Sequence, residues 1–185
     1  GSTDRTPQIL ESCRDPRLKV FSISHVGLVG ALNEGLARCS GEFIARMDAD
    51  DRCDPARLAK QVEYIQTHSD VDVVTCLCDL IDDDEVVVGC NSGGVGPDML
   101  LELAGGNGIV HGSIVVRRAS LPPSPVFVGP VEDYRLWVRM ARDGRRFACV
   151  GEMLYHFRTH SQRYSLTHAR SQSAGIVEVQ WPLLE

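Results

Sequence analysis

The sequence contains no C-x-x-C pair, although seven cysteines are spread along its 185 residues (Cys13, Cys39, Cys53, Cys76, Cys78, Cys90 and Cys149). That spacing argues against a zinc ribbon, and the odd count argues against a disulfide framework, so reduced thiols are expected. No stretch approaches the ~20 consecutive apolar residues of a membrane span, and the first residues do not read as a secretory leader. Basic residues are in deficit. The 19 Lys and Arg against 25 Asp and Glu leave a net charge of −6, which disfavours a broad footprint on a nucleic-acid backbone. No internal repeat or low-complexity tract interrupts the chain. With 43% hydrophobic residues, its length suits one domain with a sizeable core.

What is present is an alternation of strand-like and helix-like segments. Ser2-Thr3-Asp4 reads as the N-cap of a short helix with Pro7 in its first turn and Ile9, Leu10 and Cys13 on one face. Residues 18–23 (LKVFSI) read as a strand, and residues 27–39 place Leu28, Leu32, Leu36 and Cys39 at helical spacing. A strand over 43–47 runs into an acidic turn. Pro55 then opens a helix whose buried stripe is expected to be Leu58, Val62 and Ile65. A strand ending at Ile81 leads to Asp82-Asp83-Asp84-Glu85, which reads as the solvated tip of a hairpin. After the flexible stretch 89–96 come a short helix (PDMLLELA), a strand (GSIVVRR), a Pro-rich loop and a helix through EDYRLWVRMARDG. Strands around FACV and MLYHFR and a helix from Thr167 complete the chain. This order predicts an α/β layer with a mostly parallel sheet.

The acidic turn, GEFIARMDADDRCDP over residues 41–55, is the first functional clue. Asp48, Asp50 and Asp51 follow an apolar run and repel one another unless a cation or strong hydrogen-bond donors intervene. They lie where open α/β sheets bind ligands, beyond the carboxyl end of a strand. Clustered hard oxygens suit Mg²⁺ or Mn²⁺, which take one or two protein carboxylates and leave positions for phosphate oxygens. The plainer reading is a solvated turn that caps the next helix, with Asp54 as the N-cap.

Four blocks in order weigh against the plainer reading. LNEGLARCSGEFIARMDADDRCDPARLAKQVEYI, NGIVHGSIVVRR, VEDYRLWVRMARDG and YHFRTHSQRYS together resemble the family-2 nucleotide-sugar glycosyltransferases of the GT-A fold, from Gly1 to about Ser165. The resemblance implies a Rossmann-like α/β sheet flanked by helices in a single domain, with residues 1–90 as the nucleotide-sugar and metal half and 91–185 as the acceptor half. It implies a D-x-D at Asp48 and Asp50, the first near the ribose and both candidate ligands of a Mn²⁺ or Mg²⁺ on the diphosphate. Asp51 becomes an accessory acid. Glu132-Asp133 matches the family's E-D pair, with Asp133 as the base that deprotonates the acceptor hydroxyl. Arg158 matches a basic group near the diphosphate, and His160 a further metal ligand. His111 and Trp137 fall on the acceptor side, although both also read as core residues.

The function implied is metal-dependent transfer of a sugar from a UDP-sugar to a glycan or lipid-linked hydroxyl, with inversion as the simpler scheme because one base and no second nucleophilic carboxylate are evident. The expected setting is cytoplasmic or peripheral at the inner face of a membrane, in polysaccharide biosynthesis. The family pattern also begins earlier than this chain, with a βαβ unit that walls the nucleotide base. Without it, unpaired strand edges and exposed apolar faces are expected, together with instability or self-association, for example a homodimer formed by strand exchange. Two other readings stay open: a catalytically inactive GT-A-like fragment that acts in binding, and a Mg²⁺-dependent phosphohydrolase.

Overall fold

The computed structural model describes residues 1–160 and 167–184. The chain forms α1 (Thr6–Ser12), α2 (Gly27–Ala37), β1 (Phe43–Ala45), β2 (Arg52–Cys53), α3 (Arg57–Thr67), β3 (Val73–Ile81), β4 (Val87–Asn91), α4 (Met99–Gly105), β5 (Val115–Arg117), α5 (Glu132–Arg142), β6 (Phe147–Arg158) and α6 (Ala169–Leu184). Short 3₁₀ turns at His111–Ser113 and Arg118–Ser120 flank β5.

The six strands form one sheet in the order β1-β5-β3-β6-β2, with β4 also on β3. The α/β class holds, but the sheet is mixed where the sequence pattern predicted it mostly parallel. Only β3 and β6 run parallel; the other pairs are antiparallel. The tight turn after Ile81 reverses the chain, so β4 returns antiparallel along Cys78–Ile81, while β5 occupies the same edge at Val73 and Val74. The segments expected as two strands around FACV and MLYHFR are one 12-residue strand, β6, that accompanies β3 along its length.

Period-2 alternation sends β3 side chains into two separate cores. Val73 joins Val116 of β5 beneath α5, where Tyr134, Leu136, Trp137 and Met140 pack with Leu103 of α4 and Val179 of α6. Val74, Cys76 and Cys78 point the other way, onto Ile65 of α3 and Val150, Leu154 and Tyr155. On α3 the buried face is Arg57, Gln61 and Ile65, and Leu58 is exposed. Ile65 is buried as expected, but Arg57 and Gln61 take the places expected of Leu58 and Val62, because their polar ends find backbone carbonyls inside the fold. Gln61 donates to Val74 O at 3.0 Å and to Ser113 O at 2.8 Å. All seven cysteines are free thiols.

Residues 18–23 are not a strand. No described strand lies beside them to complete a ladder, and Leu18, Val20 and Phe21 are exposed, as is Ile9 of α1. Among the described residues, no helix is long and apolar enough to cross a membrane.

Trp137 is fully buried between the sheet and α5, edge-on to Phe147 at 6.2 Å. Trp137→Ala should cost about 3–5 kcal/mol in urea unfolding, whereas Trp137→Phe should lose far less.

Candidate active site

The site begins where β1 ends. Arg46 and Asp48 are two residues apart in an extended segment, hence on one side of it, and their side chains form an ion pair. Arg46, a single charge within an apolar run of the sequence, is the intervening cation that the clustered carboxylates require. Burial raises the Asp48 carboxyl above its ordinary range; Arg46 opposes that shift, and Asp51 and Asp50 add to it.

Asp51 faces inward. Its carboxylate accepts the Tyr155 hydroxyl at 2.5 Å and the Arg158 amide at 2.8 Å, and it is buried. The expected accessory acid is therefore a brace between the turn and β6. Tyr155 Oη in turn accepts from the Asp48 amide at 3.3 Å. Behind it, Arg57 donates to Gly112 O at 2.6 Å and to Arg46 O at 3.2 Å, with its guanidinium 5.2 Å from the centre of the Tyr155 ring. Asp54 accepts from the Ala56 amide at 2.7 Å, which starts the turn into α3 as the capping reading expected, although the cap position itself falls at Ala56.

Asp50 is exposed, and its Oδ2 lies 3.1 Å from His160 Nε2. Among the described residues, no three His, Cys, Asp or Glu side chains converge as a metal cage. Asp50 and His160 supply one hard oxygen and one imidazole nitrogen. That sparse set fits Mg²⁺ or Mn²⁺ when phosphate oxygens and water complete the shell.

Arg158 has four tasks. Its amide binds Asp51, Nε donates to Asp50 O at 2.9 Å, Nη1 donates to Asp82 O at 2.9 Å, and Nη2 approaches Glu85 at 3.4 Å. Glu85 also pairs with Arg52 at 2.6 Å. The run Asp82–Glu85 is consequently more than the solvated surface expected of it: Asp83 and Asp84 are exposed, but the two ends of the run hold Arg158 over the acidic turn.

The opposite wall is the start of α5. Val131 precedes it in the left-handed conformation (φ 51°, ψ 46°), a state rare for a β-branched residue, which fixes how the helix leads into Glu132 and Asp133. Glu132 is buried, and burial, with help from Asp133 and Asp48, raises its carboxyl from 4.5 to about 7. Burial also raises Asp133, opposed by the Tyr134 amide, Asn107 and Arg46. His111 Nδ1 is 3.8 Å from Glu132 Oε1, and burial and Arg46 hold its pKa well below the ordinary imidazole value, so the ring is neutral. Its Nε2 has no hydrogen-bond partner among the described residues.

Both walls open on one cleft of about 500 Å³, lined by Arg46, Asp48, Asp50, His111, Glu132, Asp133 and Arg158, with Leu28 of α2 and Gln172 and Ile176 of α6 at its sides. The candidates taken from sequence thus converge, and His160 joins through Asp50. Trp137 does not: it lies beneath the cleft wall as core, 5.7 Å edge-on from His111, and has no surface to offer an acceptor. In the last sequence block, residues 161–165 lie outside the described residues.

Residues 1–120 match the family described as Glycosyl transferase family 2. The chain belongs to that family. An uncharacterized glycosyltransferase of Haemophilus influenzae is 28% identical over 94% of the chain and 58% of its own length. The amylovoran biosynthesis glycosyltransferase AmsE of Erwinia amylovora is 30% identical over 74% of the chain and 52% of its own length. The putative glycosyltransferase EpsE of Bacillus subtilis is 30% identical over 89% and 62%. This family-2 domain therefore spans between 52% and 62% of these relatives. Its fold matches S. aureus TarS in complex with UDP-GlcNAc at a TM-score of 0.71, with 22% identity over 98% of the chain and 54% of that structure. It also matches glucosyl-3-phosphoglycerate synthase of Mycobacterium tuberculosis, in complex with Mn²⁺, UDP and phosphoglyceric acid, at 0.55, with 19% identity over 99% and 64%. Both neighbours share the GT-A architecture.

Two outcomes test this geometry. Between pH 4.5 and 7 native Glu132 holds a proton that the unfolded chain has released, so its contribution lowers stability as pH rises through that window. Urea unfolding of the wild type should lose about 3 kcal/mol from this group between pH 5 and 8, a loss that Glu132→Gln should remove. A Cβ at Gly112 would stand 1.9 Å from Tyr155 Oη, so Gly112→Ala should destabilise by about 1–3 kcal/mol in urea unfolding.

Proposed function

We propose that this domain transfers a sugar from a nucleoside-diphosphate sugar, with UDP as the nucleotide, to a hydroxyl of a glycan or lipid-linked acceptor. The observation that carries the reading is the single cleft with the Asp48–Asp50 turn on one wall and Glu132–Asp133 on the other. Donor and acceptor halves separated by one gap suit a direct displacement. The name of the relative in amylovoran biosynthesis and the nucleotide ligands of the structural neighbours support the same reading.

Asp50 and His160, with Asp48 beside them, would hold a Mn²⁺ or Mg²⁺. The bound ion supplies positive charge against the negative charge that builds on the departing diphosphate. Arg158 holds the turn by its contacts to Asp50 and Asp82, and its 3.4 Å approach to Glu85 is the contact a diphosphate oxygen would replace. Asp48 lies toward the ribose. On the other wall Asp133 accepts the proton of the attacking hydroxyl. That oxygen bonds to the anomeric carbon while the bond to the diphosphate oxygen breaks, and the bonding pair leaves with the nucleotide. Glu132, pushed up to about 7 by burial, keeps a proton on part of its population near neutral pH, and that form donates a hydrogen bond. His111 lines the same cleft as a neutral imidazole and is assigned to the acceptor side. One base and a direct attack give inversion. The same reading expects the reaction at the cytoplasmic side, peripheral to the inner membrane face where the acceptor is lipid-linked, and a second copy over the exposed apolar residues Ile9, Leu18, Val20 and Phe21.

UDP should bind in the presence of Mn²⁺ and not in its absence, and Asp50→Ala should abolish that binding. Asp133→Asn should bind UDP as the wild type does and lower transfer by roughly 10²–10⁴. Absence of metal-dependent UDP binding would favour an inactive binding domain, phosphate release without acceptor a phosphohydrolase, and a retained anomeric configuration would defeat the single displacement.

A further inference from the structure

Asp133 is held at two points, by donors from different parts of the fold. The Tyr134 amide, on its own helix, donates to Oδ1 at 2.7 Å. Asn107, 26 residues earlier, reaches across from the loop that follows α4 and donates from Nδ2 to Oδ2 at 2.9 Å. We propose that Asn107 is a positioning residue that holds the Asp133 carboxylate in the orientation that takes the acceptor's proton. The inference rests on the transfer reaction proposed above.

Asn107 is exposed and lines the cleft, so packing does not account for its orientation. Its Oδ1 accepts from the Ile109 amide at 3.3 Å, which fixes the amide plane and leaves Nδ2 directed at Asp133. Each carboxylate oxygen therefore has one donor, and each keeps a second lone pair for the incoming hydroxyl. With the donor from Asn107 removed, only the Tyr134 amide would restrain the carboxylate, which could then rotate off the line of attack. Displacements on that scale cost about 10²-fold in rate.

The charges facing Asp133 are Glu132 on its own helix and Arg46 from the strand opposite; His111 is neutral. Burial raises the Asp133 carboxyl, and the Tyr134 amide, Asn107 and Arg46 oppose it. Loss of Asn107 should therefore make Asp133 hold its proton more tightly.

Asn107→Asp retains the acceptor that braces the loop and loses the donor, whereas Asn107→Ala loses both. In the full chain, the Asp133 carboxyl can be titrated by ¹³C NMR, with Asp133→Asn to assign its signal. Asn107→Ala should raise the midpoint by about one pH unit, Asn107→Asp should raise it further because it adds a like charge beside Asp133, and the acid limb of kcat/KM should move upward with each. Maximal transfer should fall about 10- to 100-fold, and UDP affinity with Mn²⁺ should be unchanged. Asn107→Gln, which keeps a donor, should recover part of the rate. An unmoved midpoint, or a moved midpoint with unchanged transfer, would overturn the role of Asn107 and leave the proposed function standing. Shifted titration with no transfer by any form, wild type included, would defeat the proposed function and the positioning role with it.

Discussion

The Asp51 carboxylate joins segments more than 100 residues apart, because it takes the Tyr155 hydroxyl on one oxygen and the Arg158 amide on the other. Tyr155 then meets the Asp48 amide, the face of its ring meets Arg57, and its hydroxyl occupies the space that a side chain at position 112 would need. Arg57 continues inward to the carbonyls of Gly112 and Arg46. In a buried network of this kind each bond polarises the next, and a missing partner leaves its neighbour desolvated and unpaired. Half-buried Asp48 and exposed Asp50 are held in place by a buried carboxylate.

One guanidinium organises the charge. Arg46 pairs with Asp48, and its field favours the ionised forms of Asp51, Glu132 and Asp133 while opposing a charge on His111. Burial works against it on every one of these acids. Burial raises both acids of the pair: Glu132 is pushed to about 7, whereas on Asp133 two hydrogen-bond donors oppose the rise. Adjacent carboxylates in one helical turn are thereby suited to opposite tasks, one to donate and one to accept.

The site was more legible in the sequence than the sheet was. D-x-D-D follows a strand, E-D opens a helix and R-x-H ends β6; the resemblance to the family, rather than their spacing, assigned them to one site, and the structure brings them to one cleft. Strand direction is a property of pairs, and nothing in the composition of β4 or β5 declares which way each runs beside β3. Residues 18–23 have the composition of a strand and no neighbour to make them one. On α3, polarity gives no hint that Arg57 and Gln61 turn inward, because the carbonyls of Gly112, Val74 and Ser113 that receive them are long-range features. Arg46 did leave a signal: a single cation within an apolar strand, on the same face as Asp48. Tyr155 left none, since an aromatic within a strand is ordinary core until its hydroxyl has a named partner.

The hairpin tip at Asp82–Glu85 has the composition of a loop in which insertions are normally tolerated. Here its first residue lends a carbonyl to Arg158 and its last, Glu85, lends a carboxylate while in a left-handed conformation (φ 66°). An added or deleted residue would change the span between those two contacts and release the end of β6 from above the acidic turn. Length variation among homologues should therefore be rarer at this tip than its exposure suggests, and a hairpin of altered length should come with a substitution at position 158.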